Sequence, residues 1–167
     1  MFKTIVVPLD GSLLAESALP IVVDIATCSN GKVVLMRCAG DFMIDEILMP
    51  QELEDLQARI THDCHVYLET MATKLRANGI ATTILVAKGD PASQILEVVG
   101  MSMADAIVMA THGLGGLRRL VVGSVADRVL HHADVAVILV RPDESKLHGT
   151  ETDAKSSNQQ QKPIEAF

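Results

Sequence analysis

The chain has 167 residues, of which 49% are hydrophobic and only 2% aromatic, and its formal net charge is −7. This composition excludes a disordered chain, because the apolar residues suffice to build a core. The negative charge argues against broad electrostatic binding of nucleic acid or an anionic membrane, and the scarcity of rings argues against base stacking.

The compartment is predicted from the N-terminus and the cysteines. The first four residues lead directly into an apolar run without the layout of a signal peptide. No apolar run reaches the ~20 residues that a membrane span needs. Cys28, Cys38 and Cys64 are odd in number and lack the spacing of a metal or disulfide motif. We therefore expect a cytoplasmic protein with reduced thiols.

The first half of the chain alternates short apolar runs with helical patterns. Residues 5–9 predict a buried strand, which ends in the turn Asp10-Gly11-Ser12. A helix follows, and Pro20 predicts a kink or break within it. A second strand is expected at 33–36, and residues 41–50 have the composition of a loop.

The second half continues the alternation. Apolar residues at spacings of three and four between Leu53 and Leu75 predict a long helix, and Asn78-Gly79 is a typical helix stop. The remaining elements are, in order, a strand at 80–87, a turn at 89–91, a helix at 91–101, a strand at 106–110, a helix ending near His132 and a strand at 135–140.

This strand–helix alternation predicts right-handed crossovers and an α/β fold. We expect one open, parallel, five-stranded sheet of order 3-2-1-4-5 with helices on both faces. Ligands of such sheets bind beyond the carboxyl ends of the strands, here in the crevice between the first and fourth strands. Residues 1–142 are predicted to form one domain, and the polar, aperiodic residues 143–167 a flexible tail.

A glycine-dense loop follows the fourth strand, from Ala110 to Gly123-Ser124. Glycines let a backbone approach a ligand closely, and free N–H groups in such a loop or at a helix N-terminus bind phosphate. Ser124 adds a hydroxyl, and Arg118 and Arg119 add positive charge. The alternative is a tight turn with solvated arginines, since a glycine-rich loop alone is a weak motif.

Gly113, nine intervening residues and then Gly123-Ser124 resemble the nucleotide loop of the universal stress protein family, whose pattern is Gly-x₂-Gly-x₉-Gly-Ser/Thr. Residues 6–12, 89–91 and 136–141 resemble the family's opening strand, its turn before the third helix and its closing strand. The resemblance extends over roughly residues 2–142. It implies a Rossmann-like fold of the adenine nucleotide alpha hydrolase type and binding of ATP or AMP in a stress-response regulator.

The resemblance also implies a set of site residues. Pro8 and Cys38 would line the base pocket, Met109 and Ala110 would pack on the nucleoside, and Asp10 would hold the adenine or ribose side. Apart from the resemblance, the Asp10 carboxylate is a candidate ligand for a Mg²⁺ bound with the nucleotide. The complete implied set is Pro8, Leu9, Asp10, Cys38, Met109, Ala110, His112, Gly113, Gly123, Ser124 and Val125, of which Gly113 and the last three would contact phosphates through backbone N–H groups. Ala110 departs from the pattern, because the ATP-binding branch has its first glycine there.

Several alternatives stay open from the residues themselves. Asp10 before Gly-Ser is also typical of an Asx turn or a helix cap, and His112 would touch phosphate or face solvent. A non-nucleotide-binding interaction protein, with binding lost through Ala110, is the second interpretation. A slow ATPase with Ser124 as phosphate acceptor is the third, although a Walker loop and a Gly-x-Ser-x-Gly elbow are absent from the sequence.

Two further patterns bear on partners. His62, Cys64 and His65 fall close together on the long helix, but without a second ligand cluster they are expected to be ordinary helix residues, and no metal site is predicted. The last strand, Val135 to Val140, is apolar and expected at the sheet edge. Such an edge is protected by pairing, so a homodimer through this strand is predicted, with an unidentified protein as a further partner.

Overall fold

The structure, a computed structural model, describes residues 1–40, 50–111 and 122–141. Four predicted features lie outside these ranges: residues 41–49 of the loop predicted at 41–50, the site residues His112 and Gly113, the arginines Arg118 and Arg119, and the tail at 143–167. A five-stranded parallel sheet has the order β3-β2-β1-β4-β5, which confirms the predicted order. The strands are β1 (Thr4–Pro8), β2 (Lys32–Cys38), β3 (Thr82–Ala87), β4 (Ala106–Ala110) and β5 (Ala136–Val140). The helices are α1 (Leu13–Glu16), α2 (Leu19–Ser29), α3 (Pro50–Ala77), α4 (Pro91–Ser102) and α5 (Ser124–His132).

The sheet separates two hydrophobic cores. One core joins alternate strand residues such as Val7 and Leu35 to α1, α2 and α3, and the other joins their neighbours, such as Val6 and Met36, to α4 and α5. Alternation along a strand sends successive side chains to opposite faces, so a strand buried on both faces is apolar throughout. The near-continuous apolar runs of the sequence have this cause.

The first crossover contains the predicted break. α1 ends at Glu16, and α2 starts at Leu19 with Pro20 in its first turn. Proline lacks the N–H that an interior helical position must donate, whereas the first turn does not need it. The break therefore falls directly before Pro20 and produces two helices.

β3 begins two residues later than predicted. The Ile80 N–H donates to the Leu75 carbonyl at 3.2 Å, and Gly79 has a φ of +76°, so residues 78–80 complete the end of α3. Ile80 is buried in the core beside α3 rather than paired in the sheet. An apolar residue directly after a helix stop thus belongs to the helix cap, which the sequence pattern alone does not distinguish from a strand.

The crevice predicted by topology lies between β1 and β4. These strands are neighbours, with Val6 aligned on Ile107, yet the chain leaves β1 towards α1 on one face and leaves β4 towards α5 on the other. Divergent connections open a gap at the carboxyl ends of the two strands. Because both strands end at this edge, their last residues are positioned for a ligand.

Candidate functional site

Four predicted site residues end three adjacent strands. Pro8 is the last residue of β1, Cys38 the last of β2, and Met109 and Ala110 the last two of β4. β1 lies between β2 and β4 in the sheet, so these residues share its carboxyl edge. The sequence prediction that they belong to one region is consistent with this placement.

The predicted site residues lie on both faces of the sheet. Met109, Cys38 and Val125 pack on the α4–α5 side. Leu9 is buried in the opposite core, at 3% exposure, so it offers a ligand at this edge its backbone rather than its side chain. Ala110 is buried and, by strand alternation, its methyl group points to the same side as Val108, towards α1–α3.

The Asp10-Gly11-Ser12 turn is held by its own side chains. The Asp10 Oδ1 accepts from the Ser12 N–H at 2.9 Å and from the Ser12 hydroxyl at 2.6 Å. The Ser12 Oγ in turn accepts from the Ala15 N–H at 3.1 Å and caps α1. The predicted Asx turn is therefore present, and it fixes the direction of the Asp10 carboxylate at the edge of the crevice.

Arg37 lies across this turn and was missed by sequence reasoning. A Cβ on Gly11 would come within 2.8 Å of the Arg37 Nη2, and Gly11 has a φ of +91°, so only glycine fits there without displacement. The guanidinium stands 4.9 Å from the centre of the Tyr67 ring, and the Tyr67 hydroxyl donates to the Glu16 carboxylate at 3.1 Å. Burial and this carboxylate raise the pKa of Tyr67, which keeps the phenol protonated as a donor.

Cys38 carries a half-buried thiol on which the charge of Asp90 acts. Burial, then the negative charge of Asp90 and then Cys64, raise the pKa of the Cys38 thiol to about 11. At neutral pH the group is protonated and behaves as a small apolar surface rather than as a nucleophile. Such a surface suits one wall of a pocket for a flat, largely apolar ring.

α5 begins at this edge, and among the described residues no side chain caps its N-terminus. Gly123 is its N-cap residue, and the Gly123 N–H donates to the Thr111 carbonyl at 2.8 Å, which ties the end of the glycine-rich segment to the end of β4. The first residue of the helix, Ser124, is exposed. Unpaired N–H groups and the helix dipole make such an end attractive to anions.

α4 begins near the same edge, but its N-terminus is capped by a charged pair. Asp90 accepts from the Ser93 N–H at 3.0 Å and from the Ser93 hydroxyl at 2.8 Å. Both Asp90 oxygens also accept from Arg128 of α5, at 2.7 and 2.8 Å. The Arg128 guanidinium and the Ser93 donors hold the pKa of Asp90 well below its usual range. Sequence reasoning missed the pair, because its members lie 38 residues apart.

The His62, Cys64 and His65 pattern on α3 is not brought together in the structure. Cys64 is buried, whereas His62 and His65 are exposed, so the three side chains do not converge. Within residues 1–40, 50–111 and 122–141, no group of three or more His, Cys, Asp or Glu side chains is arranged to hold a metal ion. The helices of these same ranges are all too short or too polar to cross a bilayer.

Comparison with known proteins identifies close sequence relatives. A model of the universal stress protein family matches residues 1–141. A universal stress protein of Thermus aquaticus is 32% identical over 147 residues, which cover 84% of this chain and 100% of that protein. The alignment therefore includes the whole of this relative and 84% of this chain.

Two solved structures share the fold. A universal stress protein in complex with cAMP superimposes with a TM-score of 0.63 at 22% identity, over 83% of this chain and 97% of that one. A universal stress protein family member from Arabidopsis thaliana with AMP bound gives a TM-score of 0.61 at 16% identity, over 89% of this chain and 97% of that one.

Proposed function

Because the chain belongs to the universal stress protein family, we propose that it is a regulatory module that binds ATP or a related adenine nucleotide at the carboxyl edge of its sheet. The observation that carries the proposal is that two features lie at one edge, on either side of the β1–β4 gap: the N-terminus of α5, whose N-cap is a glycine, and the oriented Asp10 carboxylate. An anionic group and a nucleoside need these two kinds of contact.

The phosphates would lie at the start of α5. Gly123 presents no side chain, so an incoming oxygen reaches the N–H groups of Ser124 and Val125 directly. The exposed Ser124 hydroxyl adds a donor beside them. His112 and Gly113, which the family pattern also assigns to phosphate, belong to the proposal on sequence grounds.

The nucleoside would lie over the ends of β1, β2 and β4. Pro8, Cys38 and Met109 offer apolar surface for the base, and Asp10 offers an acceptor for ribose hydroxyls or the exocyclic amine. The same carboxylate is the acidic group that a nucleotide-bound Mg²⁺ would meet. The fold neighbours that hold cAMP and AMP support the adenine class of ligand.

Ala110 is compatible with this proposal. The residue is only 7% exposed, and its methyl group alternates to the side of Val108, away from the face that carries Met109. A small side chain directed there leaves the base-facing surface of β4 unobstructed. The alternative of an interaction protein that has lost nucleotide binding therefore gains no support from the position of the methyl group.

We further propose that the protein is a cytoplasmic homodimer that takes part in the stress response. Nucleotide binding would act on other proteins through contacts with this homodimer. In the described chain β5 pairs with β4 on one side, and its apolar residues Val137 to Val140 are only half-buried. Pairing of two β5 edges across a twofold axis would cover them. Nucleotide bound at the start of α5 would shift the balance of surfaces offered to a partner.

Calorimetric titration with ATP and AMP tests the binding step. We expect saturable heat with both nucleotides, and a Ser124→Ala variant is expected to bind ATP about tenfold more weakly, the effect of losing one hydrogen bond to a charged group. Ser102→Ala is the matched control, because the Ser102 hydroxyl bonds within α4 at the opposite edge of the sheet. No heat with either nucleotide at high protein concentration would refute the proposal.

A further inference from the structure

The Asp90–Arg128 pair joins the N-terminus of α4 to the second turn of α5. Its geometry is bidentate, with each Asp90 oxygen accepting from a different Arg128 nitrogen at 2.7 and 2.8 Å. Both side chains are about half-exposed, at 51% for Arg128 and 44% for Asp90. The pair is therefore a fixed feature of the surface rather than part of either core.

The pair lies close to the proposed phosphate position. Arg128 follows Ser124 by four residues, so the two share one face of α5. Side chains of a helix lean towards its N-terminus, which brings the guanidinium back towards Ser124. Asp90 is close enough to Cys38, at the end of β2, for its charge to act on that thiol. The pairing with Arg128 holds the Asp90 carboxylate, at the N-cap of α4, beside the second turn of α5.

A bare carboxylate in this position would oppose a polyphosphate. Asp90 is kept ionised by its cap contacts with Ser93 as well as by Arg128, so loss of Arg128 alone would leave a negative charge rather than a neutral acid. Like charges repel, whereas an uncharged nucleoside is indifferent to them. Loss of Arg128 would therefore weaken the binding of a phosphorylated ligand and leave that of an uncharged nucleoside unchanged.

We propose that Arg128 is a specificity-determining residue that neutralises Asp90 and thereby removes a charge that would oppose phosphorylated adenosine but not adenosine itself. The inference rests on the proposed nucleotide site and adds to it a residue outside the implied phosphate loop. Folding does not need the pair for the placement of α5, because Ala126 and Val129 anchor the helix in the core with 3% and 0% exposure.

Opposite effects of the two neutralising variants test the inference. Calorimetry at low salt with ATP and adenosine is run on the parent, Arg128→Gln, Asp90→Asn and the double variant. Arg128→Gln is expected to weaken ATP binding about two- to five-fold, and Asp90→Asn is expected to strengthen it by a similar factor. These factors correspond to the energies of exposed charge interactions. The double variant returns to within about twofold of the parent, and adenosine affinity stays within about twofold throughout.

Two controls separate charge from structure. Asparagine caps a helix as well as aspartate does, so Asp90→Asn preserves the start of α4. Arg76→Gln removes an arginine paired with Glu69 at the far edge of the sheet, and it should leave ATP affinity unchanged. Thermal unfolding of each variant verifies that it is folded under the conditions of the titration.

The outcomes are distinct. If both Arg128→Gln and Asp90→Asn weaken ATP binding, the pair has a structural role and the inference is overturned. An equal loss of adenosine affinity would overturn it as well. Absence of effect in Arg128→Gln would overturn it too. If the parent binds neither ATP nor adenosine, the proposed function itself fails, and the inference fails with it.

Discussion

The reactivity of Cys38 is a direct test of the chemistry at the end of β2. Its pKa of about 11 lies two units above the 9.0 of an ordinary thiol. Since only the thiolate reacts with alkylating agents, Cys38 at pH 8 should react about 100-fold more slowly than a free thiol. Nucleotide bound against it should slow the reaction further.

The assay is alkylation by iodoacetamide followed by peptide mass mapping, which resolves Cys38 from the exposed Cys28 and the buried Cys64. For a pKa of about 11, the rate at Cys38 should still rise about tenfold between pH 9 and pH 10, whereas the rate of an ordinary thiol should rise less than about twofold. Asp90→Asn removes the second-largest cause of the shift and should raise the rate at pH 8.

Alkylation of Cys38 at the rate of a free thiol at pH 8, with a rise of less than about twofold between pH 9 and pH 10, would refute this account of its surroundings. It would mean that the end of β2 is open to water and offers no apolar wall. Equal rates with and without saturating ATP would contradict its place in the base pocket, although the pKa argument would stand.

Three further predictions follow from named contacts. Ala110→Gly should change the ATP dissociation constant by less than about threefold, because the methyl group alternates away from the base-facing side; tightening beyond about tenfold in calorimetry would instead favour the interaction protein. Asp105 accepts from the Lys3 and Thr4 N–H groups at 2.7 and 2.8 Å, which lowers its pKa, so it stabilises the fold above pH ~4 and this stabilisation is lost as the pH falls further. Asp105→Asn should therefore lower the melting temperature at pH 7 and reduce its acid dependence, and identical melting profiles would contradict this. Light scattering at micromolar concentration should give twice the chain mass of 17.9 kDa, whereas a stable monomer would refute pairing through β5.

Much of the fold could be predicted because its cause is local. Apolar runs buried on both faces and helices between them specify a parallel sheet, and Pro20 fixes the place where the first helix breaks. The start of β3 was predicted too early because Ile80 is buried at the end of α3 and is not part of the strand. Pattern alone does not distinguish these two positions.

Some residues of the candidate site could be predicted from local sequence signals, and others could not. Asp10 and Gly123 were found because turns and helix starts have local signatures. Arg37 and Arg128 were missed because their partners, Tyr67 and Asp90, are distant in sequence and are brought near only by the sheet order. The spacing of Arg128 four residues after Ser124 is the one signal that would have drawn attention to it.

Amide resonances recorded during an ATP titration test the central claim most directly. The account predicts saturable shifts at the carboxyl edge of the sheet, at Leu9, Cys38, Gly123 and Ser124, while Lys3 and the other residues of the amino edge stay unchanged. A spectrum that is unaltered at millimolar ATP, or one whose shifts lie at the amino edge, would contradict it.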